Sequence, residues 1–229
     1  MLVALPAVLS ADQLAEVRSL VDSGDWDDGR ATAGKQSGLA KRNLQLSASC
    51  PKGAEAGEVI LAALAANGLF MSAALPQRVF PPLFNRYDAS ANHAFDNHVD
   101  NAIRYLPDGS GRIRTDISAT LFLADPGDYD GGELVVEDTY GSHEIKLDAG
   151  DMILYPATSL HRVEPVTRGS RIASFFWIQS MVRDDGQRTL LLDMDAAIRT
   201  LAGDVGDQNP AVVSLTGTYH NLLRRWADS

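Results

Sequence analysis

Cysteine is all but missing from this chain. Cys50 stands alone among 229 residues, so no intramolecular disulfide can form and a reducing, cytoplasmic location is the expectation. A lone thiol is more often a small buried side chain than a nucleophile. Basic residues are scarce as well, 20 against 30 acids, for a formal charge of −10. Phosphate backbones attract basic surfaces, so no nucleic-acid partner is expected. No apolar run approaches the roughly 20 residues that cross a bilayer, so no membrane partner is expected either. The opening MLVALPAVLSADQ lacks a basic leader and is broken by Pro6, so it does not read as a signal peptide. Internal repeats and low-complexity tracts are absent from the sequence.

What is present is an ordinary globular composition, 45% hydrophobic and 22% charged, with length enough for one substantial core. LSADQLAEVRSLVDSG reads as a helix: Ser10 caps its start, Gln13 returns a bond to the cap, and Gly24 lies past its end. AEAGEVILAALAANG predicts a second helix closed by its final glycine. Between them ATAGKQSGLAKRNLQLSA is Gly-rich at first and then strand-like. From Arg78 to Ser180 short β-branched and aromatic runs recur between turn signals, including RVFPPLFNRYD, RTDISATLFLAD, GELVVED, GDMILYPA and SRIASFFWIQS. Many short strands at such spacing predict a sandwich or barrel rather than alternating β/α units. RTLLLDMDAAIRTLAG and VVSLTGTYHNLLRRWA return the tail to helix. The expected fold is mainly β with flanking α, divided as 1–77 support, 78–180 core and 181–229 helical extension, all packed as one unit.

Within the β region FDNHVDNAIR places His98 and Asp100 one residue apart. If that segment is a strand, both project from one face. Imidazole and carboxylate together suit a divalent first-row metal, but surface strands carry such pairs routinely, and Asp96 with His98 would serve equally. DAGDMILYPATSLHRVEPV delivers His161 at a junction between two apolar strands. Two histidines and one carboxylate leave three positions open on a metal, the facial triad of non-haem Fe(II) oxygenases. Arg171 follows His161 by ten residues, at the start of the apolar run IASFFWI. A guanidinium there needs a partner; a protein carboxylate would do, and so would the distal carboxylate of a dicarboxylate cosubstrate.

An HxD pair, a distant His and an Arg ten residues later resemble the iron- and 2-oxoglutarate-dependent dioxygenases. More closely, NRYDASANHAFDNHVDNAIR, LFLADPGDYDGGELVVED, GDMILYPATSLHRVEPVTRGSRIASFFWIQS and LTGTYHNLLRRWA are similar to the bacterial PKHD-type hydroxylases. The resemblance runs over nearly the whole chain. It implies a double-stranded β-helix (jelly-roll) core with N-terminal and C-terminal helices, and Fe(II) held by His98, Asp100 and His161. It further implies Arg171 on the C5 carboxylate of 2-oxoglutarate, Tyr87 of NRYD as a second contact, O2 as cosubstrate and ascorbate as reductant. No catalytic residue is implied beyond the metal site. Two departures from the pattern stand out: no glycine follows Tyr87 closely, and Ala173 stands where some relatives have a serine.

The activity implied is hydroxylation, since halogenating relatives have a small residue in the place of Asp100. The substrate stays open among a peptidyl proline or lysine, an amino acid and a siderophore-like small molecule. Asn43, Asn85, Arg104 and Arg114 are polar candidates near the motif strands, and for all four a hydrogen-bonded structural role is the favoured reading. A non-catalytic jelly-roll sensor of a metal or small ligand is the principal rival, against which Arg171 argues. A cupin with another metal is the second, against which HVD in place of HxH argues. The amphipathic YHNLLRRWA is compatible with a homodimer.

Overall fold

Antiparallel pairing organises the chain into two main sheets and one short ribbon. The computed structural model describes residues 1–32, 38, 40–47 and 49–228; part of the Gly-rich stretch read between the first two helices lies outside them. The major sheet runs Val3–Leu5, Met152–Pro156, Ile117–Phe122, Val166–Ser180, Leu83–Asp88, Leu44–Leu46 and Trp26–Asp28, with Tyr129–Gly131 and Pro76–Val79 also paired to its long strand. The minor sheet runs Gly141–Ile145, Leu134–Asp138, His161–Val163, Ala94–His98 and Lys41–Arg42. Ile103–Tyr105 and Arg112–Arg114 form the ribbon. One continuous core joins Leu134, Val136 and Val163 of the minor sheet to Leu121, Leu154 and Phe176 of the major one. This is the double-stranded β-helix expected from the resemblance.

Two central strands, Ile117–Phe122 and Val166–Ser180, are largely buried. All six residues of Ile117–Phe122 are buried, because one face meets the core and the other meets the space between the sheets. Its polar members, Ser118 and Thr120, point into that space. They lie opposite Trp177 and Phe175 of the long strand, and directly paired residues share a face. On the other side of the long strand Arg171 is paired with Tyr87 and Ala173 with Asn85. The alternation thus gathers Ser118, Thr120, Trp177, Phe175, Arg171, Tyr87 and Asn85 on the inward face.

Helices close the flanks. The first, Ala11–Asp22, has the expected capping box between Ser10 and Gln13. The second begins earlier than its periodicity suggests, at Pro51, where the missing N–H costs nothing. Its end differs too. Asn67 stops Pro51–Ala66 in extended backbone, and its side chain caps a new helix, Gly68–Ala74, so Gly68 opens an element instead of closing one. No single helix among the described residues is long and apolar enough to cross a membrane.

Asp185–Val205 and Pro210–Trp226 follow the barrel, capped by the side chains of Asp184 and Asn209. Tyr219, Leu222, Leu223 and Trp226 pack against buried Leu75, Val182 and Leu191. The apolar side of YHNLLRRWA therefore faces this chain's own interior.

Candidate metal and cosubstrate site

His98 ends the strand Ala94–His98 and is paired with His161 across the minor sheet. Their ring centroids lie 4.2 Å apart. Each imidazole is fixed the same way: Nδ1–H of His98 donates to the Asp96 carbonyl at 2.9 Å, and that of His161 to the Ser159 carbonyl at 3.0 Å. With Nδ1 tied to the backbone, Nε2 of both rings keeps its lone pair. The backbone bond of His161 is what orients its ring.

Asp100 reaches the pair by a different route. The strand stops at His98, so the shared-face argument does not place the carboxylate. Asp100 sits in the loop beyond, where the Ser118 hydroxyl donates to its Oδ2 at 2.6 Å. That oxygen is 3.7 Å from Nε2 of His161. One donor atom from each of His98, Asp100 and His161 lies within 4.8 Å of the other two. Asp96 turns away to Arg42, 3.5 Å distant.

Burial sets the protonation of His98. The His98 imidazole is lowered to about 4, first by desolvation and then by the neighbouring His161, so it is a neutral donor across the physiological range.

Arg171 is 1% exposed. Among the described residues its side chain makes one hydrogen bond, a long one of 3.4 Å from Nη1 to Oδ1 of Asn85, with Nε unpartnered and the Tyr129 phenol beside the guanidinium. The guanidinium otherwise lies 5.5 Å from the Tyr87 ring and 5.3 Å from the Phe122 ring. Tyr87 is fully enclosed and its phenol is pushed up to about 12 by burial, against the pull of Arg171; it remains an O–H donor. Tyr155, 5.1 Å from His161, is likewise held protonated by burial. Ala173 offers no hydroxyl, and the adjacent Ser174 is turned to the Leu83 carbonyl.

These groups line one cavity between the sheets, shared by His98, Asp100, His161, Arg171 and Tyr87. Of the other sequence candidates, Asn85 and Arg104 line it. Arg114 does not, being bound to Asp116 at 2.6 Å and to Asp228 at 3.3 Å. Asn43 is not in the lining but is buried behind it, its side chain beside the Tyr87 phenol and its backbone carbonyl accepting from the Gly29 N–H. Sequence reasoning missed Lys41, Ser118, Tyr155 and Trp177, all in the lining. Only Trp177 gave a signal, through its inward parity with Arg171.

Comparison with known proteins places these residues in a wider setting. A model of the 2OG-Fe(II) oxygenase superfamily matches residues 82–179, and one of the PKHD-type hydroxylase C-terminal domain matches 185–228. A PKHD-type hydroxylase of Beijerinckia indica is 62% identical over the full length of both chains. Among solved structures, a Pseudomonas putida prolyl-4-hydroxylase is 19% identical with a TM-score of 0.50, covering 78% of this chain and 92% of that one. A prolyl hydroxylase of Trichoplax adhaerens, solved with a hypoxia inducible factor peptide fragment, is 15% identical with a TM-score of 0.56, covering 82% and 86%.

Proposed function

The chain belongs to the PKHD-type hydroxylases, with a 2OG-Fe(II) oxygenase core, and from that premise we propose that His98, Asp100 and His161 hold Fe(II) and that Arg171 binds 2-oxoglutarate. The activity is that of a dioxygenase using Fe(II), 2-oxoglutarate and O2 to hydroxylate a substrate. One observation carries the residue assignment: three donor atoms within 4.8 Å of one another, at a cavity that also holds an almost fully buried arginine. Two imidazoles and a carboxylate are the donor set that suits Fe(II) while leaving positions open.

When bound, Fe(II) with 2-oxoglutarate and O2 supplies the oxidising power that converts C–H to C–OH, with release of succinate and CO2. The remaining work belongs to the protein. Asp96 and Ser159 carbonyls hold the imidazoles in the tautomer that presents Nε2, and Ser118 fixes the carboxylate of Asp100. Arg171 offers its buried fork to the C5 carboxylate, where a charge-assisted pair gains from the low dielectric. Tyr87, kept protonated, donates to the same cosubstrate. The Asp100 carboxylate occupies the position that halogenation needs open, which favours hydroxylation.

Ascorbate serves as reductant in this reading, and the substrate is small or peptidyl. The location is cytoplasmic, with neither nucleic acid nor membrane as partner. A homodimer would use the exposed Leu190, Val205, Val213 and Leu215 of the terminal helices. Segments 1–77, 78–180 and 181–229 act as one packed unit.

The test is succinate formation from 2-oxoglutarate under air, with Fe(II) and ascorbate. Turnover lost in His98→Ala, and weakened at low cosubstrate in Arg171→Ala, is the expected result. If 2-oxoglutarate added to the anaerobic Fe(II) protein raises no metal-to-ligand charge-transfer band, the proposal fails and a non-catalytic sensor takes its place.

A further inference from the structure

Behind Arg171 lies the stretch DYDGG, residues 128–132, which the iron and cosubstrate leave without a task. Its strand Tyr129–Gly131 pairs with Val166–Gly169 of the long strand, and the register slips between Asp130 and Gly131. Such a bulge bends a strand and re-aims the residues that follow. Gly131 and Gly132 both take left-handed backbone, with φ of +71° and +69°, which glycine enters without strain. Gly132 is thereby laid against the stem of Arg171. A Cβ on Gly132 would stand 3.1 Å from Cδ of Arg171, 3.1 Å from the Tyr129 ring and 2.9 Å from Val166. With no side chain at 132, the arginine stem and the tyrosine ring share that space.

Tyr129 is fully buried. Among the described residues its hydroxyl makes no hydrogen bond of ordinary geometry, although it stands beside the Arg171 guanidinium. Nε of Arg171 is unmet as well. An N–H lacking an acceptor and a phenol oxygen lacking a donor thus belong to neighbouring side chains, where leaving both unpaired is costly. The remaining bond of Arg171, 3.4 Å to Asn85, is too long to orient a guanidinium by itself. Tyr129, by contrast, is firmly held. Lys146 lies 4.1 Å from its ring centroid and donates to the Tyr129 and Gly131 carbonyls at 2.9 and 3.2 Å. Burial raises its phenol against the pull of Arg171, so the hydroxyl stays protonated.

Resting on the oxygenase reading of this site, we infer that Tyr129 is the positioning residue of Arg171: its phenol oxygen accepts from Nε–H, which aims the Nη groups at the distal carboxylate of the cosubstrate. Arg171 lines the cavity and Tyr129 does not, so the tyrosine acts through the arginine and leaves the cosubstrate untouched. A guanidinium is a rigid planar fork, and fixing one of its donors fixes the direction of the others. The bulge at Gly131 and the bare backbone of Gly132 are what let the two side chains meet.

The experiment titrates the anaerobic Fe(II) protein with 2-oxoglutarate and with 2-oxobutyrate, which keeps the chelating keto acid and lacks the distal carboxylate. Affinity is read from the metal-to-ligand charge-transfer band. Tyr129→Phe should bind 2-oxoglutarate about tenfold more weakly, the worth of one hydrogen bond to a charged group, and 2-oxobutyrate as the wild type does. In an Arg171→Met background the same change should cost nothing further, because the two residues serve one contact. Lys146→Met, which loosens the ring from the far side, should show the same selectivity to a smaller extent, and it decides the matter if Tyr129→Phe does not fold. Unchanged affinity for 2-oxoglutarate in the variants would overturn the inference. Equal weakening for both acids would do so too, by making Tyr129 merely structural. A tenfold loss that persists in the Arg171→Met background would place Tyr129 on the cosubstrate itself and overturn the positioning role. Absence of the band in the wild type would instead sink the oxygenase reading beneath it.

Discussion

Two arginines, one in the cavity and one under the C-terminal helices, are equally hidden from water at 1% exposure each. Arg188 has its ends spoken for: Nη1 donates to the Val182 and Arg183 carbonyls at 2.8 and 2.7 Å, and Nη2 pairs with Asp185 at 2.8 Å. Arg171 makes one bond of 3.4 Å and leans on aromatic rings. Burial of a cation is therefore a poor mark of function. The accounting of its terminal nitrogens is the better one: Nε is unpartnered in both, but a fold that needs a buried guanidinium for itself engages the Nη groups.

That contrast can be broken most sharply at Arg188. Replacing it with Met strips two carbonyls of their donor and leaves Asp185 the Met1 ammonium, and chemical denaturation should register a loss of about 2 kcal/mol, the usual cost of buried acceptors left unmet. Arg171→Met should leave stability unchanged or improved in the same assay. An equal loss in both variants would erase the distinction.

Lys41 extends the comparison to another buried cation of the cavity. Burial holds its ammonium down to about 8 from 10.5, so below that pH the folded protein carries a charge it would rather shed. The difference amounts to about 3 kcal/mol, and Lys41→Met should be more stable than the wild type by up to that amount at pH 7. Between about 8 and 10.5 the unfolded chain binds more protons than the folded one, so wild-type stability gains on the variant as pH rises. Parallel stability curves for the two proteins across that window would refute the burial cost.

A smaller effect is expected at Ser118, whose hydroxyl orients Asp100 without touching the proposed metal. Ser118→Ala should weaken Fe(II) affinity by about tenfold, a typical cost of losing an outer partner of a ligand, with the melting curve of the metal-free protein little changed. An unaltered affinity would mean the loop alone positions the carboxylate.

Much of this site was legible beforehand because its parts are chemically unusual. His98, Asp100, His161 and Arg171 stand out by residue type, order and spacing, and the β-branched and aromatic run SRIASFFWIQS located the strand that bears Arg171. The parity argument that joined His98 to Asp100 was right in outcome and wrong in cause, since the strand ends between them. Gly68 misled for a related reason: a glycine after an apolar run closes many helices, but Asn67 both stops one helix and caps the next.

By itself, then, the sequence determined the β-rich core, the flanking helices and the chemical identity of the site, because those follow from periodicity and from residue types that few other roles demand. Tertiary structure alone decided which polar groups share the cavity. Lys41 of the minor sheet, Arg104 of the ribbon and Ser118 of the major sheet are brought to the two histidines by strand register and loop path. No local pattern announces such a meeting, because it is fixed by how the two sheets face each other and not by the residues on either side of each one.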